Sequence, residues 1–133
     1  MILFLANYQN LGLLLLRLAL GVIFIAHGFG KLKNIKGTGE WFGSIGFKPG
    51  IFWGTVVGLA EFFGGWSVLV GWYSQWGALF IAAVMIVALL WKLKNKQKLI
   101  GGYELDLALL TSALLTSTIP GGGMYSITYY LLS

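Results

Sequence analysis

Cysteine is absent from this chain, and histidine occurs once, at position 27. Without thiols there can be no disulfides, thiolate metal sites or cysteine-held iron–sulfur clusters. One histidine cannot supply both axial ligands of a bis-histidine haem. Charge is scarce as well: the 133 residues include nine Lys or Arg and four Asp or Glu, 10% charged in all. A soluble domain has about 25%. So few charges cannot cover a surface that faces water. A soluble helical bundle would also keep a polar stripe on each surface helix, and the stretch from Ile51 to Trp91 has none.

What the sequence has instead is hydrophobic length. Apolar residues make up 58% of it, with a mean hydropathy of +0.84. A membrane-crossing helix needs about 20 mostly apolar residues, and four such runs are present. They cover residues 11–30, with Arg17 and His27; residues 50–71, with Glu61; residues 73–91, without charge; and residues 103–119, opening with Glu104 and Asp106. The fold class expected is therefore all-α, an integral membrane four-helix bundle in a single domain. The N-terminus lacks a basic lead and a small-residue cleavage pattern, so it reads as a span and not as a cleavable signal.

The net charge of +5 raises the question of nucleic acid. Apart from Arg17, however, each lysine falls between or beside the apolar runs, and no nucleic-acid-binding motif is present. Membrane lipid is the expected partner instead. Lysines crowd the connections at 31–49 and 92–98 and are missing from the tight turn at 71–74 and from both ends. Cytoplasmic loops carry the Lys/Arg excess, which predicts a cell-membrane protein with both lysine-bearing connections inside and both termini outside. Trp53, Trp72, Trp76 and Trp91 near the run ends fit an aromatic belt. A short interfacial helix is expected around Glu40, Trp41 and Phe42. Met85 and Met124 read as packing residues.

Charge inside a bilayer costs about 2.5–3.5 kcal/mol per group on insertion scales, so Arg17 and Glu61 should point inward. Their spacing agrees. Arg17, Gly21, Phe24, Gly28 and Lys31 share one helical stripe, as do Gly54, Gly58, Glu61 and Gly65. Glycines there let helices approach closely, and Gly54 to Gly58 forms a GxxxG that could also serve a homo-oligomer. With the first run starting at Leu11, Arg17 lies about 9 Å and Glu61 about 15 Å inside the outer boundary. This predicts two polar layers: a deep one of Arg17 with Glu61, and one near the cytoplasmic boundary of His27, Lys31 and Glu104. Glu104 shares a small-residue stripe with Ala108 and Thr111. The deep pair reads either as a structural ion pair or as a functional site. His27 reads as a proton-handling group or as a packed residue. Lys31 and Glu104 read as ligand contacts or as snorkelling and capping residues.

Taken together, Arg17, Gly21, the run His27-Gly28-Phe29-Gly30-Lys31, Glu61 followed by Gly64 and Gly65, and Tyr103-Glu104-Leu105-Asp106 resemble the DoxX family over nearly the whole chain. The tail departs from the family pattern. Gly122 stands where a proline is usual, and Thr128 stands where an aspartate is usual. The resemblance implies a small multi-pass membrane protein. Some relatives are similar to subunits of a thiosulfate:quinone oxidoreductase, others are linked to oxidative-stress assemblies or quinone resistance, and distant ones act as cargo receptors. The reading that follows is a membrane subunit of a redox or quinone-linked system. Its polar residues Arg17, His27, Lys31, Glu61 and Glu104 would hold a quinone-like headgroup, and a protein partner would complete the complex. The alternatives are a non-catalytic assembly or cargo-binding protein and a small proton-coupled transporter.

Overall fold

The structure is a computed structural model that describes residues 1–133, apart from the side chains of residues 6 and 7. Its chain order is α1 (Ile2–Lys33), α2 (Ile35–Ser44), α3 (Gly50–Val70), α4 (Ser74–Lys94), a π turn (Leu99–Tyr103), α5 (Glu104–Ser117), a 3-10 turn (Pro120–Gly122) and α6 (Ile127–Leu132). No strand occurs among the described residues. Helices α1, α3 and α4, and α5 joined to its π turn, are long and apolar enough to cross a membrane. At 1.5 Å per residue the 21-residue α3 and α4 each measure about 31 Å, close to the thickness of the hydrocarbon layer.

The surface confirms the medium. Leu15, Val22, Phe29, Phe63, Phe80 and Leu90 are exposed, while Arg17, Glu61 and Asp106 are buried. In water this arrangement would be inverted. In lipid it is what the transfer cost of charge demands. The bundle core is a cluster of Leu20 and Phe24 from α1, Val68 from α3, Ala78, Ile81, Ala82 and Met85 from α4, and Leu109, Leu110 and Ala113 from α5.

Glycine sets how the helices meet. A side chain at Gly21 would collide with Leu69 and the Gly65 carbonyl, and one at Gly28 would collide with the backbone of Gly58 and Phe62. Helices α1 and α3 therefore pack backbone to backbone, where dispersion is the main attraction available in lipid. On the other side of α3, Gly64 lies against Gly77 and Ile81 of α4. The GxxxG is occupied within the chain: Gly54 faces Thr38 and Phe42 of α2, and Gly58 faces Lys31 and Leu32 of α1.

The spans begin and end near the expected positions, with one large difference. Helix α1 starts at Ile2, nine residues before the expected start at residue 11, and runs for 32 residues, about 48 Å. Its upper part extends beyond α3, and its lower end stops near the third turn of α3, where Leu32 meets Gly58. Helix α2 fills the remaining depth, with Gly39 against Gly50 and Ile51. The Asn34 side chain marks the break by accepting a hydrogen bond from the Gly37 N–H at 3.2 Å, an N-cap. Glu40, Trp41 and Phe42 do lie on this short helix.

Candidate functional site

At the end of α3 away from the lysines, the chain closes on Arg17. Gly71 ends α3 in the left-handed conformation (φ 74°), which glycine adopts without penalty. A side chain there would also strike the Arg17 guanidinium and Ser126. Arg17, only 1% exposed, donates through Nε to the Val68 carbonyl at 2.9 Å and through Nη2 to Leu69 at 3.2 Å. Its Nη1 donates to Gly122 at 3.0 Å and to Tyr125 at 2.9 Å. Val68 and Leu69 belong to the last turn of α3, the negative end of its dipole. The cation is thus stabilised by carbonyls that the helix leaves unpaired, and by two more from the tail.

Arg17 therefore does not pair with Glu61. The expected depth placed the two within reach, because it assumed that α1 begins at the outer boundary. In fact α1 is shifted, so Arg17 is level with residues 68–71 of α3. Glu61 lies seven residues below Val68, about 10 Å along the axis. Thr128 completes the closure. Its hydroxyl donates to the Gly71 carbonyl at 2.8 Å and accepts from the Tyr73 N–H at 3.0 Å. A neutral hydroxyl suffices there because Arg17 is already satisfied.

Glu61 has another partner. It is 2% exposed, and its Oε2 lies 2.5 Å from Nζ of Lys31, whose side chain is 24% exposed. The pair is close to the middle of α3, eleven residues from Gly50 and nine from Val70. Lys31 is consequently deep, not at the boundary, again because α1 is offset. His27 lies one helical turn before Lys31 on α1 and near Glu61. The stripe Leu13, Arg17, Leu20 and Phe24 is buried along its length and continues into Gly28, buried against α3, whereas His27 beside it is exposed. Below Phe24, α3 covers the Gly28 side of α1 and leaves the His27 side uncovered.

Glu104 does not join His27 and Lys31. It is exposed and accepts a hydrogen bond from the Gly101 N–H of the preceding π turn at 3.0 Å. Its small-residue stripe faces outward. The hydroxyls of Thr111 and Ser112 bond to carbonyls one turn back, which makes such residues tolerable against lipid. The inward stripe is Asp106, Leu109, Ala113 and Thr116. Asp106 pairs with Lys92 at 2.5 Å, and Lys92 also donates to the Gly102 carbonyl at 3.2 Å. Sequence reasoning gave these two residues no joint role. The signal was present, since Asp106 lies three, four and seven residues before the apolar Leu109, Leu110 and Ala113.

Lys31–Glu61 and Lys92–Asp106 are the two ion pairs among the described residues. No cluster of three or more metal-ligating side chains occurs among them. Two surface grooves, of about 360 and 340 Å³, lie elsewhere, and neither is lined by His27, Lys31 or Glu61. What the central residues offer is a lateral site: an ion pair at mid-depth with a histidine beside it on the lipid-facing surface.

The fold and these charges define a multi-pass α-helical membrane protein with a polar interior. The DoxX family model matches residues 12–93. Among curated relatives, a Bacillus subtilis (strain 168) protein named "Putative oxidoreductase CatD" is 37% identical over 110 residues, 82% of this chain and 80% of that protein. The "Inner membrane protein YqjF" of Escherichia coli (strain K12) is 28% identical over 120 residues, 90% of this chain and 91% of that protein. No solved structure matches at a significant level. The chain belongs to the DoxX family.

Proposed function

We propose that this protein is the membrane subunit of a redox system, and that His27, Lys31 and Glu61 bind a quinone-like molecule entering sideways from the bilayer. The observation that carries this reading is the exposure of His27 at mid-depth, beside a buried ion pair. A ring nitrogen facing hydrocarbon without a partner is unfavourable, and a lipid-soluble ligand with carbonyl oxygens would supply that partner. Lys31 Nζ has three N–H donors and gives one to Glu61. The others, with His27, can donate to a carbonyl. Glu61 holds the ammonium in place.

Arg17 does not fit this role, because it is buried and four backbone carbonyls already take its hydrogen bonds. Glu104 does not fit either, being at the surface and bonded to the π turn. A bound quinone would supply two-electron, two-proton chemistry; the electrons would come from a partner protein. The name of the Bacillus subtilis relative, "Putative oxidoreductase CatD", supports a redox setting. We assign the lysine-bearing end to the cytoplasm on the lysine distribution. Because the chain has no cysteine, single cysteines at Lys96 and Met124 can be labelled with an impermeant maleimide in intact cells; only the second should react.

The binding test is titration of the purified protein with a short-chain ubiquinone or menaquinone analogue. Wild type and Glu104→Gln should bind alike, whereas His27→Ala and Glu61→Gln should bind at least tenfold more weakly. Folded variants of His27 and Glu61 that bind like wild type would overturn the proposal. A second reading rests on the same exposed face: Gly30, one turn after His27, is also exposed, and a partner's transmembrane helix could cover both. In that case a photo-crosslinker at Gly30 captures protein, and quinone affinity is insensitive to His27.

A further inference from the structure

At the lysine-bearing end, the loop after α2 stands opposite the last turns of α4. Ile45, Gly46 and Phe47 form one wall of an open groove of about 360 Å³, and Val87, Leu90 and Lys94 lie on the other with Trp91. The loop wall is fixed by its own bonds. Gly46 turns the chain at φ 101°, a conformation that suits glycine. This brings the Phe47 N–H back to the Phe42 carbonyl at 2.9 Å, and the Phe47 ring packs edge-on against Phe42 and Trp53. The Trp41 and Trp91 rings, 6.3 Å apart, tie α2 to α4 alongside.

The α4 wall is one helical stripe, because Val87, Leu90 and Lys94 follow steps of three and four. It runs from two exposed aliphatic residues to an exposed ammonium. Lys94 has no carboxylate partner among the described residues, unlike its neighbour Lys92, which Asp106 holds. Lys48 follows Phe47 directly, and Lys96 lies just beyond Lys94. Two of the four acidic residues, Glu61 and Asp106, are taken up by internal pairs. This end of the molecule therefore keeps an excess of positive charge next to an apolar channel.

An apolar channel that opens onto a cation at the end of a membrane helix matches the two halves of a phospholipid. We propose that this groove binds one anionic phospholipid, with an acyl chain along Val87 and Leu90 and the headgroup phosphate on Lys94, assisted by Lys48. The site is separate from His27, Lys31 and Glu61 and does not depend on the ligand assigned to them.

Native mass spectrometry of the delipidated full chain in detergent tests it, with phosphatidylglycerol titrated against phosphatidylcholine. Phosphatidylglycerol should be retained preferentially as a single adduct. Lys94→Gln should weaken that adduct about fivefold, the effect of one basic residue at a membrane surface, and leave phosphatidylcholine unchanged. Val87→Trp should fill the groove and weaken both lipids. Both substitutions are at exposed positions, and unaltered thermal unfolding would show that the variants fold. Equal retention of the two lipids by wild type would overturn the proposal. So would a loss with Lys96→Gln as large as with Lys94→Gln, since binding would then be diffuse attraction to a basic surface. A dimer that Val87→Trp dissolves would show instead that a second copy occupies the groove.

Discussion

The two buried charges of α1 and α3 are equally hidden, but they stand in different surroundings. Arg17 is 1% exposed and Glu61 2%. Around Arg17 the end of α3, the tail and α1 all converge, and four carbonyls take its hydrogen bonds. Around Glu61 there is one ion pair, with an exposed histidine on the open side. Burial of a charge therefore does not mark a site by itself. What distinguishes the two ends is the hydrogen-bonding capacity left over once the fold has taken its share. Arg17 has little left; Lys31 and His27 have enough to meet a ligand.

The sharpest way to break this comparison is to remove each charge in turn. Arg17→Leu should cost most, about 3–5 kcal/mol, because it strands the carbonyls of α3 and the tail together. Thermal unfolding in detergent would measure it, and limited proteolysis should cut the released tail first. Arg17→Lys should recover only part, since an ammonium cannot reproduce the planar set of donors.

Lys31→Leu should cost less, about 2–3 kcal/mol, by leaving Glu61 unpaired in a low-dielectric interior; the partial exposure of Lys31 keeps it below the value for a sealed pair. The double variant Lys31→Leu with Glu61→Leu should regain most of that stability while losing the proposed quinone binding. A double-mutant cycle showing no coupling would mean that the two residues act separately. Gly28→Ala should cost about 1–2 kcal/mol by forcing apart the backbones that hold Lys31 level with Gly58. The same melts would show it, along with weaker quinone binding. Smallest of all, Thr128→Val should remove about 1 kcal/mol and leave the Glu61 end untouched. If quinone binding fell in step with it, the two ends would not be independent.

Much of this architecture is legible along the chain. The starts of α3, α4 and α5 fall within a residue of expectation, since Pro49 and the turn at 71–73 interrupt apolar runs there. The inward direction of Arg17 and Glu61 follows from transfer cost combined with a helical period. The partners were harder to read. Glu104 and Asp106 are two residues apart, so they point to different faces of α5, and the small polar residues near Glu104 suggested the wrong one as the packing face. Thr111 and Ser112 satisfy themselves on their own helix, so they carry no information about which side is buried.

The four apolar runs and their few charges were determined by the sequence alone, because hydrophobic length and charge cost are properties of a single segment and its solvent. Which charge meets which was decided by the tertiary structure. Axial offset between two helices belongs to the pair: here Gly21 and Gly28 seat against Gly65 and Gly58. That seating sets Lys31 opposite Glu61 and carries Arg17 up to the end of α3. A change of one or two helical turns in this register would exchange the partners without altering a residue.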